Sequence, residues 1–457
     1  MKKLLTIVMT IAMVAVLTAC GAQATSTDIS QTKEESTEGK SEPKKEPKKV
    51  TEATIEETVL VDESGIKITA KELQYSSSRV GLDIVMENNT DQKLSFYSGT
   101  LGYAVNSING YMISGGYVGE DIAAGMTANE TMYFSLDELQ LYGIADIADI
   151  TVGFQIKDED YDEYLVTGPI EIKTSLVDGY DYSKDTFAEV MQDKGLLANF
   201  DLSQIYFDAT DLIGESGCKN YCQTVLKNDD GDTMLLMEVE NKTEEDMYLT
   251  FGNISLNGVG VSSGNWSTQL VCAGKKAAAS ITLTDVLDDS TAKAFGISEL
   301  KEVAFDLTGR DDGSHELWKK HIDIPFNGSA SDMDETGEVL YDNNDIQLIY
   351  KNIVADDFEY SDDLHILFMV KNDSAQEITV DTGFGDIYVN KVKVSGIAFG
   401  VDVLPGQSGI LDIDLMGYDL EDNDITLDSI SEFSVDIEIR DDDYNEIDST
   451  TLTKTLK

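Results

Sequence analysis

The chain has 457 residues, a length that accommodates three ordinary domains. Acidic residues outnumber basic ones 86 to 33, for a net charge of −53. Such a surface repels nucleic acid and anionic lipid headgroups, which argues against nucleic-acid binding, and it attracts cations and basic partners.

In chain order, Met1-Lys2-Lys3 forms a short positive start and residues 4–17, LLTIVMTIAMVAVL, an apolar run. A membrane span needs about 20 apolar residues, so 14 read as a signal peptide. The run ends in Leu17-Thr18-Ala19-Cys20, which resembles a bacterial lipobox. The resemblance implies removal of residues 1–19 and attachment of diacylglycerol and acyl groups to Cys20. Each buried methylene contributes about 0.8 kcal/mol, so two or three chains anchor where one would not. Residues 20–54 then carry almost no large apolar side chain, mix acids with lysines, and read as a disordered tether.

From residue 55 the sequence repeats. Alignment on Asn88, Asn241 and Asn372 places Leu82, Ile84 and Met86 over Leu235, Met237 and Val239, and over Ile366, Phe368 and Val370. After the asparagine come Leu94 and Phe96, Met247 and Leu249, then Ile378 and Val380. Apolar residues at every second position on both sides of a polar break mean strand, turn, strand. A second asparagine follows at 106, 257 and 390, and a Gly turn at AAG (123–125), CAG (272–274) and LPG (404–406). Further alternating strands close each copy.

Each copy has seven or eight short strands in roughly 120 residues, the rhythm of a β-sandwich. The predicted repeats occupy 55–176, 199–327 and 336–457. A linker with a short helix, capped by Ser183 or Asp185 and ended by Gly195, fills 177–198, and a polar linker fills 328–335. Asn88, Asn241 and Asn372 all stand in Asn-x-Ser/Thr, the glycosylation acceptor pattern, but their place in the repeat reads as a turn in which Asn adopts left-handed geometry.

The strand ending in Glu/Lys-Asn-x-Ser/Thr, the Gly turn and the lipobox together resemble the multi-domain immunoglobulin-like lipoproteins of unassigned function common on Gram-positive bacteria. The resemblance implies an all-β chain of three tandem immunoglobulin-like β-sandwich domains, held on the extracytoplasmic face of the cell membrane by lipid. It leaves ligand and oligomeric state open.

Few residues point to chemistry. His315, His321 and His365 lack the flanks of a nucleophile or zinc motif, and no phosphate loop occurs, so an enzyme is not expected and no cofactor is implied. Acidic loops recur before the last strand of each copy. Asp158 and Asp160, and Asp441 and Asp443, are the best candidates there for calcium. Tyr97, Tyr103, Tyr111 and Tyr117 lie in a Gly/Ser/Asn-rich stretch of the first copy, a composition suited to recognising an envelope glycan or protein. Cys218, Cys222 and Cys272 are odd in number; one disulfide or three free thiols both remain open, although Cys218 and Cys222 cannot bridge within one extended strand.

Overall fold

The computed structural model describes residues 43–456 apart from 100–105, 216, 262–267, 288, 329–332, 357–360, 384 and 399. It is an all-β protein of several mainly antiparallel sheets with a few short helices. The period-two reading holds in detail. In the Arg79–Asn88 strand, Val80, Leu82, Ile84 and Met86 are fully buried while Asp83, Val85 and Glu87 are half-exposed.

The chain forms two compact units. One takes in residues up to Gly231 with Leu236–Tyr248 and Ser267–Ser280; the other takes in Asp232–Leu235, Leu249–Trp266 and Ile281–Lys457. The division runs through the second repeat, and the sheet topology explains why. Each half of that repeat continues a sheet begun by a neighbouring repeat.

In the first unit, one sheet of the first repeat contains Thr58–Glu63, Ile66–Tyr75, Arg79–Asn88 and Thr127–Ser135, in that order. Its other sheet centres on Asp149–Lys157, where Ile150, Val152, Phe154 and Ile156 are all buried. This sheet runs outward through Ser107–Ile108 and Tyr111–Met112. It then continues through Lys276–Thr282 into Thr233–Asn241, Cys218–Asn228 and Leu202–Asp208 of the second repeat.

The second unit repeats the arrangement. Glu302–Arg310 and Met247–Leu256 lead through Val259–Gly260 to Ser408–Leu415, Leu364–Asn372, Ile346–Ala355 and Glu338–Asn343 of the third repeat. The third repeat's other sheet carries Val392–Val394, Ile387–Val389, Glu432–Asp441, Ile378–Asp381 and Val401–Val403. Ile366, Phe368, Leu411 and Ile413 from one sheet share a core with Val380, Val389, Phe433 and Ile437 from the other. That is a β-sandwich, and its core is aromatic and aliphatic.

The repeated asparagines are buried clamps. Asn88 Nδ2 donates to the carbonyls of Gln92 (2.9 Å) and Ile122 (2.8 Å), and its Oδ1 accepts from Thr90 N–H and the Thr90 hydroxyl. Asn241 does the same with Glu245, Val271 and Thr243, and Asn372 with Gln376, Val403 and Ser374. All three are 0% exposed. The nitrogen that a glycan would need has both hydrogens committed inside the protein, so the Asn-x-Ser/Thr pattern here is a structural motif. The left-handed geometry expected for these residues is absent from them. It belongs to a second set, at hairpin tips: Asn109, Asn257 and Asn390, each with φ of 51°.

This corrects the alignment in the first repeat, where Asn109 and not Asn106 matches Asn257 and Asn390. The three tip asparagines also share one pattern. Asn109 Oδ1 accepts from the amides of Ala148 and Asp149, Asn257 Oδ1 from Lys301 and Glu302, and Asn390 Oδ1 from Ser431 and Glu432.

Two expectations about the linking segments change. Residues 20–42 of the expected tether lie outside the described residues, but 43–54 are fastened down. Lys45 N–H donates to Gly195 O (2.8 Å), Thr51 N–H to Ala145 O (2.7 Å), and Ala53 N–H to the Tyr75 hydroxyl (2.9 Å). Val50 and Ala53 are buried. Between the first two repeats there are two helices, Thr186–Gln192 and Lys194–Asn199. Asp185 caps the first by accepting from Ala188 N–H; Asp193 caps the second, and Gly195 lies inside it.

Candidate functional site: a buried ion network where the second repeat joins the first

The Tyr111–Met112 strand follows the Asn109-Gly110 tip and runs parallel to the start of the Lys276–Thr282 strand, with Tyr111 opposite Lys276. Lys276 N–H donates to Gly110 O at 2.9 Å. The Lys276 side chain then crosses into a pocket of charge. Its Nζ lies 2.9 Å from Glu238 Oε1 and 3.7 Å from Asp185 Oδ2, 3.9 Å from the centre of the Tyr221 ring and 5.0 Å from that of Tyr111. Tyr221 donates its hydroxyl to Glu240 at 2.6 Å. Tyr111 also packs at 5.4 Å, ring tilted, against Tyr142, which packs on Phe187 of the linking helix. The network therefore draws on Tyr111 of the first repeat, the helix cap Asp185, and Lys276, Glu238 and Tyr221 of the second repeat.

Electrostatics follow from burial. The Glu238 side chain is 1% exposed, and loss of water pushes its carboxyl up to about 8, with Lys276 opposing and Asp185 adding to the rise. Burial also opposes the charge on Lys276, but Glu238 and Asp185 outweigh it and leave the ammonium above its usual value. Glu138, 2% exposed, is likewise raised by burial and is held by Ser114 N–H (2.8 Å) and the Ser114 hydroxyl (3.0 Å).

A carboxyl held higher in the fold than its ordinary 4.5 binds more protons folded than unfolded between the two values. Its contribution to stability is complete below 4.5 and is lost as pH rises through about 8. The stability of this part of the chain should thus fall as pH rises from about 4.5 to about 8 and level off above that, and Glu238→Gln should flatten that slope. Denaturation midpoints measured across this range check the prediction; an unchanged slope in the variant would show that Glu238 is not the titrating group.

The four tyrosines expected to form a recognition surface are not assembled as one. Tyr111 is 3% exposed and belongs to the joint. Its place on a hairpin strand paired to the second repeat turns the ring inward, a correction to its expected role. Tyr97 is half-buried in the Leu94–Ser98 strand, Tyr117 is 58% exposed, and Tyr103 lies outside the described residues.

The acidic loops are self-contained hairpins. Asp158 Oδ1 accepts from Asp160 N–H and Asp162 N–H, and Asp441 Oδ1 from Asp443 N–H and Asn445 N–H. These bonds place the Asp158 and Asp441 carboxylates over their own backbone, with Asp160 and Asp443 as turn residues. Among the described residues no group of three or more His, Cys, Asp or Glu side chains is arranged to hold a metal.

Cys218, Cys222 and Cys272 are free thiols. Burial pushes Cys218 and Cys272 up to about 12 and Cys222 higher still, far from the thiolate a nucleophile requires. The histidines make cross-strand pairs, His321 with Asp306 (2.8 Å) and His365 with Asp412 (2.9 Å).

The Lys276 network is invisible to local pattern, because its members lie in segments up to 165 residues apart. One signal was available: Glu238 is an acid inside the otherwise apolar run Met234–Val239.

No family model matches the chain, and no curated protein does. Three solved structures share a low likeness with it. A protein of unknown function from Porphyromonas gingivalis W83 is 11% identical over 50% of this chain and 92% of its own, with a TM-score of 0.15. A partial N-terminal region of enterococcal surface protein is 10% identical over 50% and 90%, with a TM-score of 0.14. Red sea bream transglutaminase is 11% identical over 67% of this chain and 38% of its own, with a TM-score of 0.14. No activity follows from overlaps of this size.

Proposed function

We propose that the chain is a lipid-anchored extracytoplasmic protein whose β-sandwich repeats serve a non-catalytic role, as a spacer and binding scaffold at the cell envelope. The observation that carries this reading is the repeated joint. A hairpin strand of one repeat pairs with the strand after the Gly turn of the next, at Tyr111 with Lys276 and at Val259–Gly260 with Ser408–Gly409. Backbone pairing at both junctions resists bending at the linkers, which is what a spacer requires. The lipobox at Leu17–Cys20 supports the anchor. No helix among the described residues is long and apolar enough to cross a membrane, so in this reading attachment falls to the lipid.

The test is Cys20→Ser in a cell that processes lipoproteins. The variant should remain an unprocessed precursor that incorporates no labelled lipid and no longer resists washing from the membrane fraction at high salt. Normal maturation with lipid incorporation would sink the proposal.

A further inference from the structure

The joint that unites the repeats has two halves, and the chain carries one more of each than it uses. The donor half is the strand after an Asn-tipped hairpin: Tyr111–Met112, Val259–Gly260 and, in the third repeat, Val392–Val394 after Asn390-Lys391. The acceptor half is the strand after the Gly turn: Lys276–Thr282, Ser408–Leu415 and, in the first repeat, Thr127–Ser135. The first two donors are taken by the last two acceptors.

What remains is the third donor and the first acceptor. Among the described residues Val392–Val394 pairs only with Ile387–Val389, and it stands at the edge of its sheet. Thr127–Ser135 pairs with Arg79–Asn88 and is likewise an edge strand. Its outer side is covered at Tyr133, whose carbonyl accepts from Gly116 N–H at 2.8 Å.

We propose that these two open edges pair with each other between copies of the chain: the Val392–Val394 strand of one copy lies parallel to the start of Thr127–Ser135 in the next. The equivalences fix the register. Lys275 and Met126 hold corresponding places, because their carbonyls accept from Asn241 N–H and Asn88 N–H at the same point of the clamp. Thr127 therefore stands where Lys276 and Ser408 stand. Met126 O points toward the Arg79–Asn88 strand, so the N–H and carbonyl of Thr127 point to the open side.

By the same matching Val392 stands where Tyr111 and Val259 stand. Val392 thus falls opposite Thr127, and the Lys391 carbonyl takes the amide that Gly110 takes from Lys276. Side-chain charge agrees. Lys391, just before the donor strand, and Lys393, within it, are 85% and 63% exposed and reach Glu432 and Asp386 of their own repeat, while Glu130 follows in the acceptor. The contact is head-to-tail, so it leaves an open half at each end of any linear assembly.

The experiment mixes two differently tagged full-length chains in detergent under mild oxidation, one carrying Val392→Cys and the other Thr127→Cys. Residues paired across a ladder fall within disulfide reach. The mixture should give a crosslinked heterodimer that is absent from either variant alone and from the native chain, whose three cysteines in the repeats serve as the background. Adding Thr127→Pro to a third, otherwise native chain removes the outward N–H but not the bonds to Arg79–Asn88. That chain should fail to compete for Val392→Cys, whereas the native chain competes. Three outcomes would overturn the proposal: no heterodimer although both cysteines react with maleimide, equal crosslinking of Val392→Cys to itself, or equal competition by the proline variant. Crosslinking of Val392→Cys to an unrelated protein in place of the second copy would overturn it too.

Discussion

At pH about 9, where the Glu238 carboxyl is ionised, replacing Lys276 by methionine should destabilise the part of the protein that holds the first repeat and the joined strands of the second by about 3–5 kcal/mol, read from denaturant unfolding. The reason is the company Lys276 keeps. Its Nζ is the cation within reach of both Glu238 and Asp185, and it lies against the faces of Tyr221 and Tyr111. Methionine fills much the same volume but leaves a carboxyl that is 1% exposed without its counterion. Above pH about 8, where Glu238 is ionised beside Lys276, such a group retreats to its protonated form, and the cost of that retreat appears as lost stability. The double variant Lys276→Met with Glu238→Gln should recover a substantial part of the loss, since an amide needs hydrogen bonds but no counterion. If the single variant loses less than about 1 kcal/mol, the network contributes little and the backbone ladder alone holds the joint.

The second large effect is expected at the clamps. Asn88→Ala, Asn241→Ala and Asn372→Ala should each cost about 2–4 kcal/mol, more than one turn hydrogen bond would suggest. Each substitution strips the amide donor from two carbonyls and the acceptor from an N–H and a hydroxyl, at a site with no access to water. The carbonyls of Ile122, Val271 and Val403 belong to the segment just before the Gly turn, 30–34 residues further along. The asparagine therefore ties one strand end to a distant one and does more than shape its own loop. Thr90→Ala, Thr243→Ala and Ser374→Ala, which remove one hydroxyl at the rim, should cost about 1 kcal/mol. Equal losses in the two series, measured by urea unfolding, would mean that the amide is no more important than the hydroxyl. The outcome should be the same in protein made with or without a glycosylation pathway.

The strands were legible because burial imposes a period of two that no other element shares. Leu82, Ile84 and Met86, or Ile366, Phe368 and Val370, could be assigned to a core from spacing alone. The repeat was legible because Asn88, Asn241 and Asn372 do the same work in each copy. The joints were not, since they are made by backbone groups that any side chain can accompany. Tyr111 opposite Lys276 and Val259 opposite Ser408 share no pattern. Without knowledge of the joint, Tyr111 reads as one more tyrosine in a Gly-rich loop. Asn106 misled for a related reason. Its setting, between Val105 and Ser107, mimics the tips at Asn257 and Asn390, while the true tip lies three residues on. The docked stretch 43–54 escaped notice because small apolar residues, Val50 and Ala53, hold it within a run of lysines and glutamates.

Because each joint is written in main-chain hydrogen bonds, its specificity survives sequence drift on either side. A duplicated repeat would arrive with its own Asn-tipped hairpin and its own Gly turn, and so with both halves of a connector already in working order. A gene encoding such a chain can lengthen or shorten by whole repeats without a compensating change in the neighbours. Side chains at each junction are then left to diverge, as they have between the ionic junction at Lys276 and the small, uncharged one at Ser408. Related chains with different numbers of repeats are the evolutionary signature this kind of connector permits.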